Sequence, residues 1–142
     1  MRRSHPHSAE RERYAIMGSV IGIGIDLEDI TRVERVFSRP RALARVFTPH
    51  EIDYCQPKRH RFQHLAVRFA AKEAVFKALG TGLSGGLHWT DAEVRNKPSG
   101  KPYLILSGPA QALADRLGVE TILVSLSHSR QYAIAQVLLL GR

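Results

Sequence analysis

The segment LAVRFAAKEAVFKALG at 65–80 constrains the fold more than any other stretch of the chain. At about 100° per residue on a helix, Leu65, Phe69, Phe76 and Leu79 fall in one bulky apolar arc. Ala66, Ala70, Ala71, Ala74 and Ala78, with Val67 and Val75, fill most of the remainder. The charges are squeezed into two narrow sectors, Arg68 with Lys72 on one flank of the aromatic stripe and Glu73 with Lys77 on the other. A helix with so little polar surface is buried on most sides. We therefore expect a long central helix over 62–79, closed by Gly80, with other elements wrapped around it. Charges carried into such surroundings need a partner, a ligand or a metal, because burying them alone is costly. The simplest scheme is an i,i+4 surface pair of Glu73 and Lys77, worth about 0.3–0.5 kcal/mol.

What surrounds that helix can be read in outline. VIGIGIDL at 20–27 is the first strand, with Ile21, Ile23, Ile25 and Leu27 on one face by the period of two. The other face carries Gly22, Gly24 and then Asp26. Glycines inside a strand mark the close approach of another backbone or of a ligand, so Asp26 ends a bare strip. Thr31 with Glu34, and Thr48 with Glu51, have capping-box spacing, which starts helices near 31 and 49. TGLSGG at 81–86 is a loop, WTDAEVRN and KPYLILS are two strands around NKPSGK, and 108–118 is a helix with Pro109 near its start and Gly118 past its end. TILVSLSH and YAIAQVLLL then close the chain as a β-hairpin. The order predicts one α+β domain over 17–142 with a largely antiparallel sheet.

Composition sets the remaining bounds. With 142 residues, 44% hydrophobic and 24% charged, the chain has the make-up of an ordinary globular domain. No apolar run reaches the ~18 residues of a membrane span. A lone cysteine, Cys55, excludes an internal disulfide and suits a reducing, cytoplasmic setting; acidic neighbours would raise its thiol pKa, so it reads as structural. The polar opening at 1–16 is expected to be a flexible basic extension, and a metal role for His5 and His7 is the weaker alternative. The net charge is +8, and the opening's four arginines against two glutamates leave most of it to the domain. Such an excess invites an anionic partner: nucleic acid, a phosphorylated small molecule or an acidic protein.

Asp26 and Glu73 offer two carboxylates, which with waters and phosphate oxygens suit Mg²⁺ or, with the same hard donors, Mn²⁺. Arg68, Lys72 and Lys77 are more cations than Glu73 can neutralise and would suit a polyphosphate.

GIGIDLEDI followed by RFAAKEAVFKALGTG closely resembles the two motifs of the 4′-phosphopantetheinyl transferases. The later GKPY and SLSHSRQYAIAQV segments resemble the short bacterial holo-acyl-carrier-protein synthase branch, and the likeness runs from about 18 to 140. It implies transfer of the phosphopantetheine arm of coenzyme A to a serine of an apo acyl carrier protein, releasing adenosine 3′,5′-bisphosphate, in support of fatty acid synthesis. It also implies Asp26 and Glu73 as Mg²⁺ ligands and Lys77 as the catalytic lysine on the pyrophosphate. Arg68, Lys72 and His128 would contact coenzyme A, with ion pairs to neighbouring segments as the structural alternative for the first two. The base that takes the serine proton stays open among a metal-bound water, His128 and a carboxylate.

Arg32, Arg35 and Arg39 share a helical face, and Arg41 and Arg45 extend the run. By itself this is a solvated face; under the resemblance it is a docking strip for an acidic carrier. The resemblance further implies a homotrimer with its sites between subunits. Two other classes compete: a metal-dependent hydrolase of coenzyme A or another dinucleotide, and a basic nucleic-acid-binding module. The second lacks aromatic stacking motifs, so no nucleic-acid or membrane partner is expected.

Overall fold

Strand β1 (Ser19–Asp29) turns its glycines, not its isoleucines, toward the body of the protein. Val20, Ile23, Ile25 and Leu27 are 56–60% exposed, whereas Gly24 and Asp26 are buried against the long helix. A register shift between Val20 and Gly22 displaces Ile21, which packs half-buried against the main core. The computed structural model describes residues 18–80 and 85–142. The expected extension at 1–16 with Met17, and most of the expected loop at 81–86, fall outside those residues.

After β1 come three short helices, α1 (Ile30–Phe37), α2 (Pro40–Val46) and α3 (Pro49–Cys55), and then the long helix α4 (Arg61–Leu79). A 3-10 turn (Trp89–Asp91) leads to the hairpin β2 (Ala92–Asn96) and β3 (Pro102–Leu106). Helix α5 (Gly108–Leu117) and the hairpin β4 (Thr121–His128) and β5 (Tyr132–Gly141) complete the chain. The main sheet is antiparallel in the order β1-β5-β4, and β2-β3 forms a second antiparallel sheet. This is the expected α+β architecture. No described helix is long and apolar enough to cross a membrane.

Local signals explain most element ends. Thr48 and Glu51 form the expected capping box, with both reciprocal hydrogen bonds present. Gly80 closes α4 in the left-handed conformation at φ 85°. The expected box at Thr31 and Glu34 does not form; helix α1 starts one residue earlier, and the Asp29 side chain accepts from the Arg32 amide instead. The expected single run of arginines from 32 to 45 is also broken. Pro40 holds Arg39 in an extended conformation, φ −86° and ψ 120°, so Arg39 caps α2 and leaves the α1 face.

Helix α4 lies between two apolar clusters. Its C-terminal half packs with β5, both strands of the β2-β3 hairpin and α5. Its N-terminal half packs with α1, α2 and α3 around Phe37, Phe47 and Leu65, and Cys55 sits in this second cluster at 1% exposure. Burial, with Glu51 adding to it against the opposing charge of Arg68, pushes the Cys55 thiol up to about 11. The native protein should therefore be inert to a disulfide-exchange reagent in mildly alkaline buffer and react only when unfolded. Stoichiometric labelling of the native state, followed by absorbance, would show that Cys55 is not seated this way.

Candidate active site

The period of two in β1 places Asp26 and Glu28 on the face that meets α4. Asp26 is 9% exposed, and its Oδ1 accepts from Lys77 Nζ at 2.8 Å. Its Oδ2 is buried with no hydrogen-bond partner. Lys77 also donates to the Ile25 carbonyl at 3.2 Å, while half of its side chain stays exposed. The Asp26 contact holds the Lys77 ammonium above its ordinary pKa. Glu73, one helical turn before Lys77, is half-buried; burial first, and then the charge of Asp26, raise its carboxyl, with Lys77 opposing.

The structure adds Glu28, which the sequence reading did not single out. Its carboxyl is pushed up to about 8 by burial, by the neighbouring Asp26 carboxyl and by the charge of Glu73, against the pull of Arg32. Its position two residues beyond Asp26 was the available signal. Glu28, Glu73 and Arg32 line one cleft of about 170 Å³ between α1 and α4, with Val33, Phe37 and Phe69.

These carboxylates crowd one another in a way that favours a cation. The orphaned Asp26 Oδ2 lacks the donor that a buried carboxylate oxygen normally finds. Among the described residues no three His, Cys, Asp or Glu side chains close a cage. A hard cation that keeps several waters and takes phosphate oxygens needs no such cage, so the residues fit Mg²⁺ better than zinc.

The other flank of α4 is organised differently. The expectation that Lys72 contacts coenzyme A is corrected: its side chain is 0% exposed and pairs with Glu51 at 2.6 Å. Its helical sector faces α3 and the start of β2, which close over it before any ligand could. Arg68 is 2% exposed, stacked over the Tyr54 ring at 4.2 Å, and donates to Asn96 Oδ1 at 2.6 Å and the His64 carbonyl at 3.3 Å. Only its buried Nε lacks a partner. His128, exposed at the end of β4, lies across the sheet in one row with Ala133 and Glu28, roughly 10 Å from the Glu28 strand position at two interstrand spacings. Burial lowers the His64 imidazole, and the charges of Arg68, Lys58 and His128 add to this.

The structure thus joins Asp26, Glu73, Lys77 and, through the cleft, Arg32. It sets Arg68 and His128 apart from them, leaves Arg35 exposed on α1, and removes Lys72 to the interior.

The chain is similar to known proteins over most of its length. The profile of the 4′-phosphopantetheinyl transferase superfamily matches residues 22–137. The chain is 47% identical to a holo-[acyl-carrier-protein] synthase of Geotalea daltonii, over 84% of this chain and 98% of that one. A protein of the same description from Moorella thermoacetica is 52% identical over 81% and 90%. Among solved structures, the holo-(acyl-carrier-protein) synthase of Bacillus anthracis, in complex with CoA (3′,5′-ADP), is 34% identical and superposes with a TM-score of 0.74 over 87% of this chain and 98% of that one. Matched along nearly its whole described length by profile, relatives and fold, the chain belongs to the 4′-phosphopantetheinyl transferase superfamily, in its holo-[acyl-carrier-protein] synthase branch.

Proposed function

We propose that this protein transfers the 4′-phosphopantetheine arm of coenzyme A to a serine of an apo acyl carrier protein, with Mg²⁺ held by Asp26 and Glu73. The observation that carries the proposal is the buried, unpartnered Asp26 Oδ2 beside Glu73 and Lys77. The serine oxygen forms a bond to the phosphorus that bears the pantetheine arm, and the bond to the nucleotide-side phosphate breaks, releasing adenosine 3′,5′-bisphosphate. When bound, the cation supplies charge neutralisation and a template for the pyrophosphate.

The chain's own residues supply the rest. Lys77, paired with Asp26 and half exposed, would direct its ammonium at the leaving phosphate. The exposed His128 at the end of β4 suits the peripheral phosphate of coenzyme A, while Arg68, buried against Tyr54 and Asn96, takes the structural role. Arg32 and Arg35 on α1 would meet an acidic carrier next to the cleft, with Arg39 reaching it from the start of α2. The apolar outer face of the main sheet, Val20, Ile23, Ile25 and Leu27 with Leu123, Tyr132 and Ile134, supports association of copies, as a homotrimer with sites between subunits. The role fits cytoplasmic fatty acid synthesis.

The test is to incubate the protein with coenzyme A, Mg²⁺ and an apo acyl carrier protein and to follow the carrier's intact mass. One phosphopantetheine unit should be added, and the addition should need both metal and Glu73, as judged with Glu73→Gln. Cleavage of coenzyme A with no carrier present would replace the transferase by a hydrolase. Salt-sensitive binding to nucleic acid without any transfer would replace it by a binding module.

A further inference from the structure

We propose that the buried Glu51–Lys72 pair is a positioning element that fixes the roll of α4 about its axis, and through it the placement of Glu73 and Lys77 against Asp26. The proposal rests on the transferase reading above and concerns residues that touch neither substrate nor cation.

Both side chains are fully buried, with Nζ and Oε1 2.6 Å apart. Lys72 has three N–H donors, and all are used: Glu51 Oε1, the Trp89 carbonyl and the Ala92 carbonyl. Glu51 in turn accepts from the Thr48 amide at 3.0 Å and, through Oε2, from the Val94 amide at 2.9 Å. One pair thus ties α4 to α3, to the 3-10 turn and to β2.

A buried ion pair is weak evidence for stability, because desolvation offsets its attraction. Burial in fact holds the Lys72 ammonium below its ordinary pKa even with Glu51 alongside. Orientation is the property such a pair can confer, because its hydrogen bonds to the 3-10 turn and to β2 are directional. On the sides of α4 turned away from the pair, Ala66, Ala70, Ala71, Ala74 and Ala78 present only single methyl groups, while the pair itself sits in the bulky arc with Leu65, Phe76 and Leu79. A carboxylate about 6 Å from a helix axis moves about 2 Å when the helix rolls by about 20°. Mg²⁺ demands near-octahedral geometry and does not tolerate such a shift. Glu73 follows Lys72 in sequence, about 100° round the helix, so the roll fixed by Lys72 is the roll of Glu73.

The experiment uses the full chain with Glu51→Gln and Lys72→Met combined, which leaves no unpaired charge. Two readouts are followed: the Mg²⁺ concentration giving half of the cation-induced rise in melting temperature, and the steady-state kinetics of carrier modification. The variant should melt cooperatively, need about tenfold more Mg²⁺, and lose about tenfold in kcat, the scale of an outer partner of a metal ligand. Leu104→Ala, which disturbs the hairpin core elsewhere, should lower the melting temperature without moving the Mg²⁺ requirement. An unchanged Mg²⁺ requirement in the folded double variant overturns the proposal. If the double variant does not fold, Lys72→Arg decides: it keeps the charge but alters the reach, and should raise the Mg²⁺ requirement in the same direction. Failure of the wild-type protein to modify any carrier would instead count against the transferase reading, and the melting readout would still judge the pair.

Discussion

Gly24→Val should yield no cooperatively folded protein, measured by circular dichroism on whatever remains soluble. A Cβ built on Gly24 would sit 1.9 Å from the Ala74 carbonyl oxygen, 2.8 Å from its carbon and 3.0 Å from the Ala78 amide nitrogen. All three are backbone atoms of α4, so no rotamer change can make room. At Gly22 the same atom would lie 2.2 Å from the Ala78 carbonyl oxygen. The turn of α4 from Ala74 to Ala78 therefore rests directly on the bare strip of β1, and any side chain there must lift α4 off the sheet. The expected cost exceeds about 4 kcal/mol, the range of mutations that disrupt a core. Gly100→Ala is the informative contrast. That glycine has φ 90° and open space around its Cβ position, so only backbone strain is added, about 1 kcal/mol. A Gly24 variant that melts within a few degrees of wild type would mean that α4 is not seated on β1.

The same contact shows what could be read in advance. The glycine strip announced a close neighbour, and the nearly featureless α4 announced burial on most sides; each was the other's partner. Asp26, Glu73 and Lys77 converge because one strand face and one helix sector are periodic, and periodicity is legible in a single sequence. Lys72 was not legible in that way. A helical wheel gives its sector but not its neighbour, and that neighbour, Glu51, comes from another helix held by its own capping box. Arg39 failed for a local reason that was visible, since Pro40 dictates the conformation before it. The outward isoleucines of β1 reverse the usual pattern because the inner face has given its volume to a helix backbone. Side-chain volume thus moved to the outer face of the sheet.

Asp26→Asn should reduce carrier modification about a thousandfold without lowering the melting temperature. The side chain keeps its size and an oxygen to accept from Lys77, so the 2.8 Å contact survives in neutral form. One negative charge leaves a cluster in which Glu28 and Glu73 are already pushed toward protonation by their neighbours, which relieves repulsion. What is lost is the charged donor proposed for the cation, a Lewis-acid contribution of several kcal/mol at about 1.4 kcal/mol per tenfold in rate. Lys77→Met should behave differently. It removes the ammonium but leaves both carboxylates, so the rate falls about a hundredfold, as when one preorganised charge-stabilising donor is removed. The rise in melting temperature on adding Mg²⁺ should persist and need less cation, because the ammonium no longer competes for Asp26 Oδ1. Asp26→Asn should abolish that rise. The pair of variants therefore separates holding the cation from acting on the leaving phosphate. If Asp26→Asn keeps the full Mg²⁺ response, the cation sits elsewhere and the orphaned Oδ2 has another purpose.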